Sequence, residues 1–225
     1  MKYQKKCVLS WSGGKDSALA YYEMKRLGEL SVSGLMTTLT QDYDRISMHG
    51  VRRDLLLAQS RELELPLYEV LIPKHASNEI YESNTQTKLL EAKQKYGVSR
   101  VVFGDLFLQD IRDYREKFLE KLGFECIFPV WGRDTTELAN YFVESGFRAI
   151  ICCVDPQKIA KEICGREFDK EFLLELPKEV DPCGENGEFH TFVYDGPIFK
   201  SEIKVNVGEI VERDHFCFAD IRPIT

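Results

Sequence analysis

Cys7-Val8-Leu9-Ser10-Trp11-Ser12-Gly13-Gly14-Lys15-Asp16-Ser17-Ala18 decides how this chain of 225 residues is read. An apolar run enters a glycine turn, and a helical pattern begins at once behind it. The spacing predicts a strand over Cys7 to Leu9, a turn, and a helix over Ala18 to Leu27 that stops at Gly28. Without a Cβ, Gly13 and Gly14 can take up positive φ and approach a ligand closely. The turn's amides and the free N–H groups of the helix's first turn then converge on one spot, where the helix dipole adds partial positive charge. Lys15 brings a full charge, Ser12 and Ser17 bring hydroxyl donors, and Asp16 can hold a divalent cation. Together they make a cradle for an anion with a carboxylate handle for a metal.

Outward from that turn, β-branched runs and helical patterns alternate. Strands are expected over Ser31 to Leu39, Leu67 to Ile72, Val101 to Phe103, Ile127 to Trp131 and Arg148 to Val154. Helices are expected over Val51 to Leu65, Asn78 to Tyr96 and Asp110 to Leu122. Asp134 with Glu137 marks the start of another helix, Gly146 its end, and Asp169 to Leu176 a short one. Such alternation predicts an α/β fold, a doubly wound parallel sheet with helices on both faces. Right-handed crossovers put the C-terminal strand ends on one rim, where ligands bind. The glycine turn and Gly104-Asp105 both fall there. The expected division is a nucleotide domain over 1–125 and a smaller C-terminal α/β substrate-binding domain over 126–225, with a terminal strand or hairpin from Ile203 to Val211.

The 30 basic and 37 acidic residues leave a formal net charge of -7. No basic stripe follows the N-terminal lysines, which counts against a nucleic-acid partner. The apolar runs are too short for a membrane span or a leader, so a soluble cytoplasmic chain is expected. Seven cysteines are an odd number without C-x-x-C spacing and imply neither a disulfide framework nor a zinc site. A homodimer is the commonest assembly to expect.

A second constellation follows Pro177: Asp181-Pro182-Cys183-Gly184-Glu185-Asn186-Gly187-Glu188-Phe189-His190-Thr191. Two glycines let the acidic side chains converge, and Glu185, Glu188 and His190 are candidates for substrate binding or proton transfer. From the residues alone, a solvated acidic turn explains the segment equally well.

The hexapeptide Ser12 to Ser17 lacks the glycine spacing of the Walker loop and of the dinucleotide fingerprint. It resembles the pyrophosphate loop of the PP-loop ATP pyrophosphatases, which cleave ATP between the α and β phosphates. Gly184 to Thr191, then Asp195-Gly196-Pro197, resembles the C-terminal signature of the diphthine–ammonia ligase group within them. Trp131-Gly132-Arg133-Asp134 and Met48-His49-Gly50 resemble that group too. Asn186 and His190 depart from its usual pattern, which leaves the acceptor open.

The resemblance implies an adenine nucleotide alpha hydrolase-like, Rossmann-like fold, ATP and Mg²⁺ as cofactors, and ammonia and a carboxylate acceptor as partners. It implies a ligase that adenylates the carboxylate, releases pyrophosphate and amidates the acyl-adenylate. The acceptor is a small molecule or a modified side chain of a translation factor. Lys15, Asp16, Arg133 and Glu188 are the expected catalytic residues. Ser12, Gly13, Gly14, Lys15, Asp16, Ser17, Thr37 and Gly104 would bind nucleotide. Cys183, Glu185, Glu188, His190 and Thr191 would bind substrate, while Asp16 and Asp105 would hold the metal. His49 reads as structural or solvated. Two other readings stand beside this one: a tRNA-modifying pyrophosphatase and a non-catalytic nucleotide-binding regulator.

Overall fold

The computed structural model describes residues 5–41, 45–46 and 50–224, so Met48 and His49 lie outside the described residues. Five parallel strands form the first sheet: β1 (Lys5–Ser10), β2 (Leu30–Thr40), β4 (Leu67–Ile72), β5 (Arg100–Val102) and β6 (Glu125–Ile127). Their order is β4-β2-β1-β5-β6, and β3 (Arg45–Ile46) pairs antiparallel with the far end of β2. Strand order reverses between β1 and β5, which makes this the switch point of a doubly wound sheet. The loops leaving those two strands are the glycine turn and Phe103-Gly104-Asp105.

Both faces are covered, as the apolar strands require. On β1, Cys7 and Leu9 point into one core with Leu19, Phe142 and Phe189, and Val8 points into a second with Met36, Leu89 and Phe118. The helices are α1 (Lys15–Leu27), α2 (Arg53–Leu63), α3 (Asn78–Tyr96), α4 (Gln109–Lys121), α5 (Thr135–Glu144) and α6 (Lys170–Glu175). Asp134 caps α5 by accepting from Glu137 N at 2.9 Å, and Asp169 caps α6 from Phe172 N at 2.8 Å.

Two sequence expectations are corrected. The strand expected over Ile127 to Trp131 ends at Ile127, because Pro129 offers no ladder N–H and the chain turns there. The expected division after residue 125 therefore falls inside β6. The strand over Arg148–Val154, β7, does not join the parallel sheet. It sits between β8 (Phe189–Asp195) and β10 (Phe216–Pro223) in an antiparallel sheet of order β8-β7-β10-β9, with β9 at Val205–Arg213. That sheet packs into the same core as Leu9 and Leu19, so the two halves of the chain share apolar interior.

Candidate functional site

After Ser10 the chain crosses Trp11 to Gly14 and enters α1 at Lys15. Gly14 is the N-cap and supplies no side-chain acceptor, so the first amides of α1 face outward from the turn. The first helical bond runs from Ala18 N–H to Gly14 O at 3.1 Å. Gly13 has φ +76°, the left-handed region that glycine tolerates. Ser17 Oγ donates to Gly14 O at 2.9 Å and lies 3.3 Å from Ser12 Oγ, which accepts from Gly14 N at 3.3 Å. Two hydroxyls and the turn's amides thus gather on one side.

The other side of the turn is fastened to β8. Lys15 N–H donates to Thr191 Oγ1 at 3.0 Å, and Val193 N–H donates to Gly13 O at 2.9 Å. A Cβ on Gly14 would come within 2.8 Å of the Thr191 carbonyl, so glycine here serves chain against chain. Gly104 does likewise: a Cβ would meet the Asp16 carbonyl at 2.7 Å. Thr191, expected to touch substrate, holds the helix start.

Lys15 was expected to reach phosphates, yet its side chain is turned inward and is 2% exposed. The ammonium donates to Asp16 Oδ2 at 2.9 Å and to the Cys183 carbonyl, with the rings of Phe168 and Phe189 at 5.9 and 5.7 Å. Burial works against the charge and is outweighed by Asp16, Cys183 and Glu185 together, so the ammonium's pKa is raised. For Asp16 burial wins, and its carboxyl is pushed up. Position and context explain the difference: at the first helical residue the side chain falls back toward the second sheet, which local sequence does not reveal.

The acidic segment lies at the rim. Glu185 Oε1 accepts from Leu106 N at 2.9 Å, joining the segment to the loop after β5, and Glu185 N donates to Asp181 Oδ2 at 2.7 Å. Burial first, then the charge of Asp16, lifts the Glu185 carboxyl to about 7. Glu188 accepts at Oε1 from Asp181 N and Asn186 Nδ2, both at 3.2 Å, while its buried Oε2 has no hydrogen-bond partner. Burial, with Lys15 and Lys158, lowers His190 to about 4, so its imidazole is neutral at pH 7. Cys183 presents its carbonyl to Lys15, and its thiol donates to Thr135 O at 3.3 Å. Burial pushes that thiol well up, far from a reactive thiolate.

Beside the turn a cavity of about 240 Å³ opens between the sheet and helices α3 and α4. Ser12, Thr37, Phe103, Tyr114 and Arg115 line parts of it. The buried Thr37 hydroxyl has no partner and is available to whatever enters. Arg115, not anticipated from sequence, sits with Nε 3.0 Å from Asp105 Oδ2 and its guanidinium 4.4 Å from the Phe103 ring. The Arg133 guanidinium lies 5.1 Å from the Tyr141 ring, which is on α5.

A divalent cation bound chiefly by phosphates needs one or two protein carboxylates. Asp16 fits, because its Oδ1 is buried without a partner. Asp105 Oδ1 accepts from Arg115 Nη2 at 3.1 Å, whereas its Oδ2, 3.0 Å from Arg115 Nε in the ion pair, is buried without a hydrogen-bond partner, as Asp16 Oδ1 is. Among the described residues no group of three or more His, Cys, Asp or Glu is arranged to hold a metal ion.

Gln59 on α2 was also missed. It is fully buried and bonds Trp11, Gly13 and Val193. A glutamine in an otherwise apolar helix face was the one available signal.

A doubly wound sheet whose first turn is a donor-lined glycine loop, backed by an antiparallel sheet and faced by an acidic segment, has the form of a nucleotide-dependent α/β enzyme. Comparison with known proteins narrows the class: the diphthamide synthase N-terminal domain family matches residues 5–126, the corresponding C-terminal domain family matches residues 134–224, and the chain belongs to that family. The diphthine–ammonia ligase of Schizosaccharomyces pombe is 27% identical over 232 residues, covering 94% of this chain and 38% of that protein. The chain thus spans well under half of that relative. The diphthine–ammonia ligase of Bos taurus is 27% identical over 234 residues, covering 93% of this chain and 86% of that protein. Among solved structures, the U34-tRNA thiolase of Methanococcus maripaludis aligns over 62% of this chain and 57% of its own, at 16% identity and a TM-score of 0.37.

Proposed function

We propose that this chain is an ATP-dependent, AMP-forming ligase that amidates a carboxylate with ammonia, and that the acceptor is diphthine, as the names of its relatives suggest. The supporting observation is the convergence of Ser12, Ser17 and the turn's amides on the sheet's switch point, opposite the Glu185 carboxyl.

In this reading the loop's amides and hydroxyls hold the β and γ phosphates and stabilise pyrophosphate as it leaves. The cavity beside Thr37 takes part of the nucleoside; its volume falls below the roughly 300 Å³ at which pockets for whole small ligands begin. Asp16 Oδ1 would hold Mg²⁺, which supplies charge neutralisation at the phosphates. The acceptor carboxylate oxygen attacks the α-phosphorus, and the bond to the β-phosphate oxygen breaks. Ammonia nitrogen then attacks the acyl carbon, AMP departs with the C–O electron pair, and the proton lost by nitrogen goes to a base. Glu185, raised to about 7, is suited to that proton. Lys15 acts from behind, holding the acidic segment to the loop through the Cys183 carbonyl. The reaction belongs in the cytoplasm, where ATP is supplied; no described helix is long and apolar enough to cross a membrane. The buried, carbonyl-bound thiol of Cys183 disfavours the tRNA thiolation alternative.

Incubation with ATP, ¹⁵N-ammonium and a diphthine-bearing protein should give AMP, pyrophosphate and a labelled amide. ADP with phosphate, or no label in the acceptor, would overturn the proposal.

A further inference from the structure

Gln59 lies outside both the glycine loop and the acidic segment, yet its amide joins three elements. Its Oε1 accepts from Trp11 Nε1 at 2.8 Å, and its Nε2 donates to Gly13 O at 3.0 Å and to Val193 O at 2.7 Å. Gly13 O receives a second donor, Val193 N, at 2.9 Å. Two N–H groups therefore fix one carbonyl of the loop.

A trans peptide is planar, with C=O and the following N–H pointing in opposite directions. With Gly13 O fixed toward Gln59 and β8, Gly14 N–H must point the other way. It does, toward Ser12 Oγ at 3.3 Å, on the side where the Ser17 hydroxyl also lies. A Gly-Gly link can turn this plane over at little steric cost. The reversed plane would present a carbonyl oxygen where the loop otherwise presents a donor.

We propose that Gln59 is a positioning residue that sets the plane of the 13–14 peptide and so aims the Gly14 N–H at the bound phosphate. Only a primary amide serves here, since two donors must meet carbonyls while an oxygen meets the indole. Glutamate would set a carboxylate against two carbonyl oxygens, and methionine would remove the acceptor of Trp11 Nε1, a donor to Val193 O and one of the two donors that hold Gly13 O. The inference rests on the proposed function in one respect, that the loop's ligand is a phosphate.

The test compares wild type, Gln59→Met and, as a stability control on the same helix, Leu63→Ala. One arm reads the Gly13 carbonyl and Gly14 amide resonances of ligand-free protein by NMR. The other titrates inorganic pyrophosphate by calorimetry. Expected results are displaced Gly13–Gly14 resonances in Gln59→Met alone, and about a ten- to hundredfold loss of pyrophosphate affinity there, the effect of one charge-assisted hydrogen bond. Leu63→Ala should lower stability and leave both readouts at wild-type values. Unchanged Gly13–Gly14 resonances in Gln59→Met would overturn the assignment whatever the ligand result. So would an equal affinity loss in Leu63→Ala. Wild-type protein that binds neither pyrophosphate nor ATP would instead overturn the proposed function, and with it the aim at phosphate.

Discussion

The backbone N–H of Lys15 donates to Thr191 Oγ1 at 3.0 Å across 176 residues of chain, so the start of α1 is capped by a strand of the second sheet. A helix normally takes its N-terminal acceptor from the residue just before it. Gly14 cannot provide one, and β8 does so from behind the loop. The side of the turn that carries the Ser12 and Ser17 hydroxyls is left clear as a result.

Thr191→Val keeps the β-branched shape suited to a strand and removes only the acceptor. Loss of a helix cap costs about 1 kcal/mol, which for a chain of this size lowers Tm by roughly 2–4 °C. Scanning calorimetry checks this. An unchanged Tm would mean that water replaces the hydroxyl at no cost.

Lys15→Met separates two roles for the lysine. If the ammonium serves as an internal tie, its removal leaves Asp16 without its cation and Cys183 O without its donor. Stability should then fall by about 3 kcal/mol, the low end for breaking a buried pair, because Asp16 stays partly solvated. ATP affinity should change less than stability does. Were Lys15 a phosphate ligand, the order would reverse, with affinity lost and the urea midpoint kept.

How much was legible beforehand follows from distance along the chain. The glycine turn, the Gly104-Asp105 rim and the Asp134 cap are each written in consecutive residues, and each stands where the pattern puts it. Gln59 and Val193 meet over 134 residues, and no local period announces such a contact. Lys15 reads as a phosphate cation in the hexapeptide because nothing in six residues reports the Phe168 and Phe189 rings behind it. Arg133 reads as an active-site arginine for a similar reason, while the ring of Tyr141, two turns into α5, lies 5.1 Å from its guanidinium. The acidic segment reads as a loop through Thr191, yet its last three residues, Phe189 to Thr191, already belong to β8, whose pairing with β7 no local alternation announces.

Glu185 gives the fold a pH dependence of defined sign. Its carboxyl is lifted from 4.5 to about 7 in the folded protein, so the folded state binds the proton more tightly than the unfolded one. The associated stability is full below about pH 4.5 and is lost as pH rises through 7. The shift sets a ceiling of about 3 kcal/mol, reduced to roughly 1–2 by the solvent that still reaches the group. Glu185→Gln retains an oxygen for Leu106 N and carries no charge. Its Tm should match wild type near pH 5 and exceed it at pH 8. Parallel curves at both values would show that the carboxyl titrates normally.

Asp220 supplies the opposite case and joins the two halves of the chain. Its carboxylate accepts from Arg45 Nη2 and Arg52 Nε at Oδ1, both at 2.8 Å, and from Arg52 Nη2 and Arg222 Nε at Oδ2, at 2.9 and 2.7 Å. The hydrogen bonds from Arg52 outweigh the cost of burial and hold the carboxyl far below the usual carboxylate range. Its stability is therefore present above the unfolded value near 3.9 and lost as pH falls through the lower folded one. Asp220→Asn should cost about 2 kcal/mol at pH 7, a modest figure for so many contacts because the arginines remain partly in water. Urea midpoints measured at pH 7 and again at pH 2.5 test the sign: the gap between variant and wild type must narrow with acid. A gap that widens would mean that the three arginines, and not the carboxylate, dominate the joint between β10 and the helix that carries Gln59.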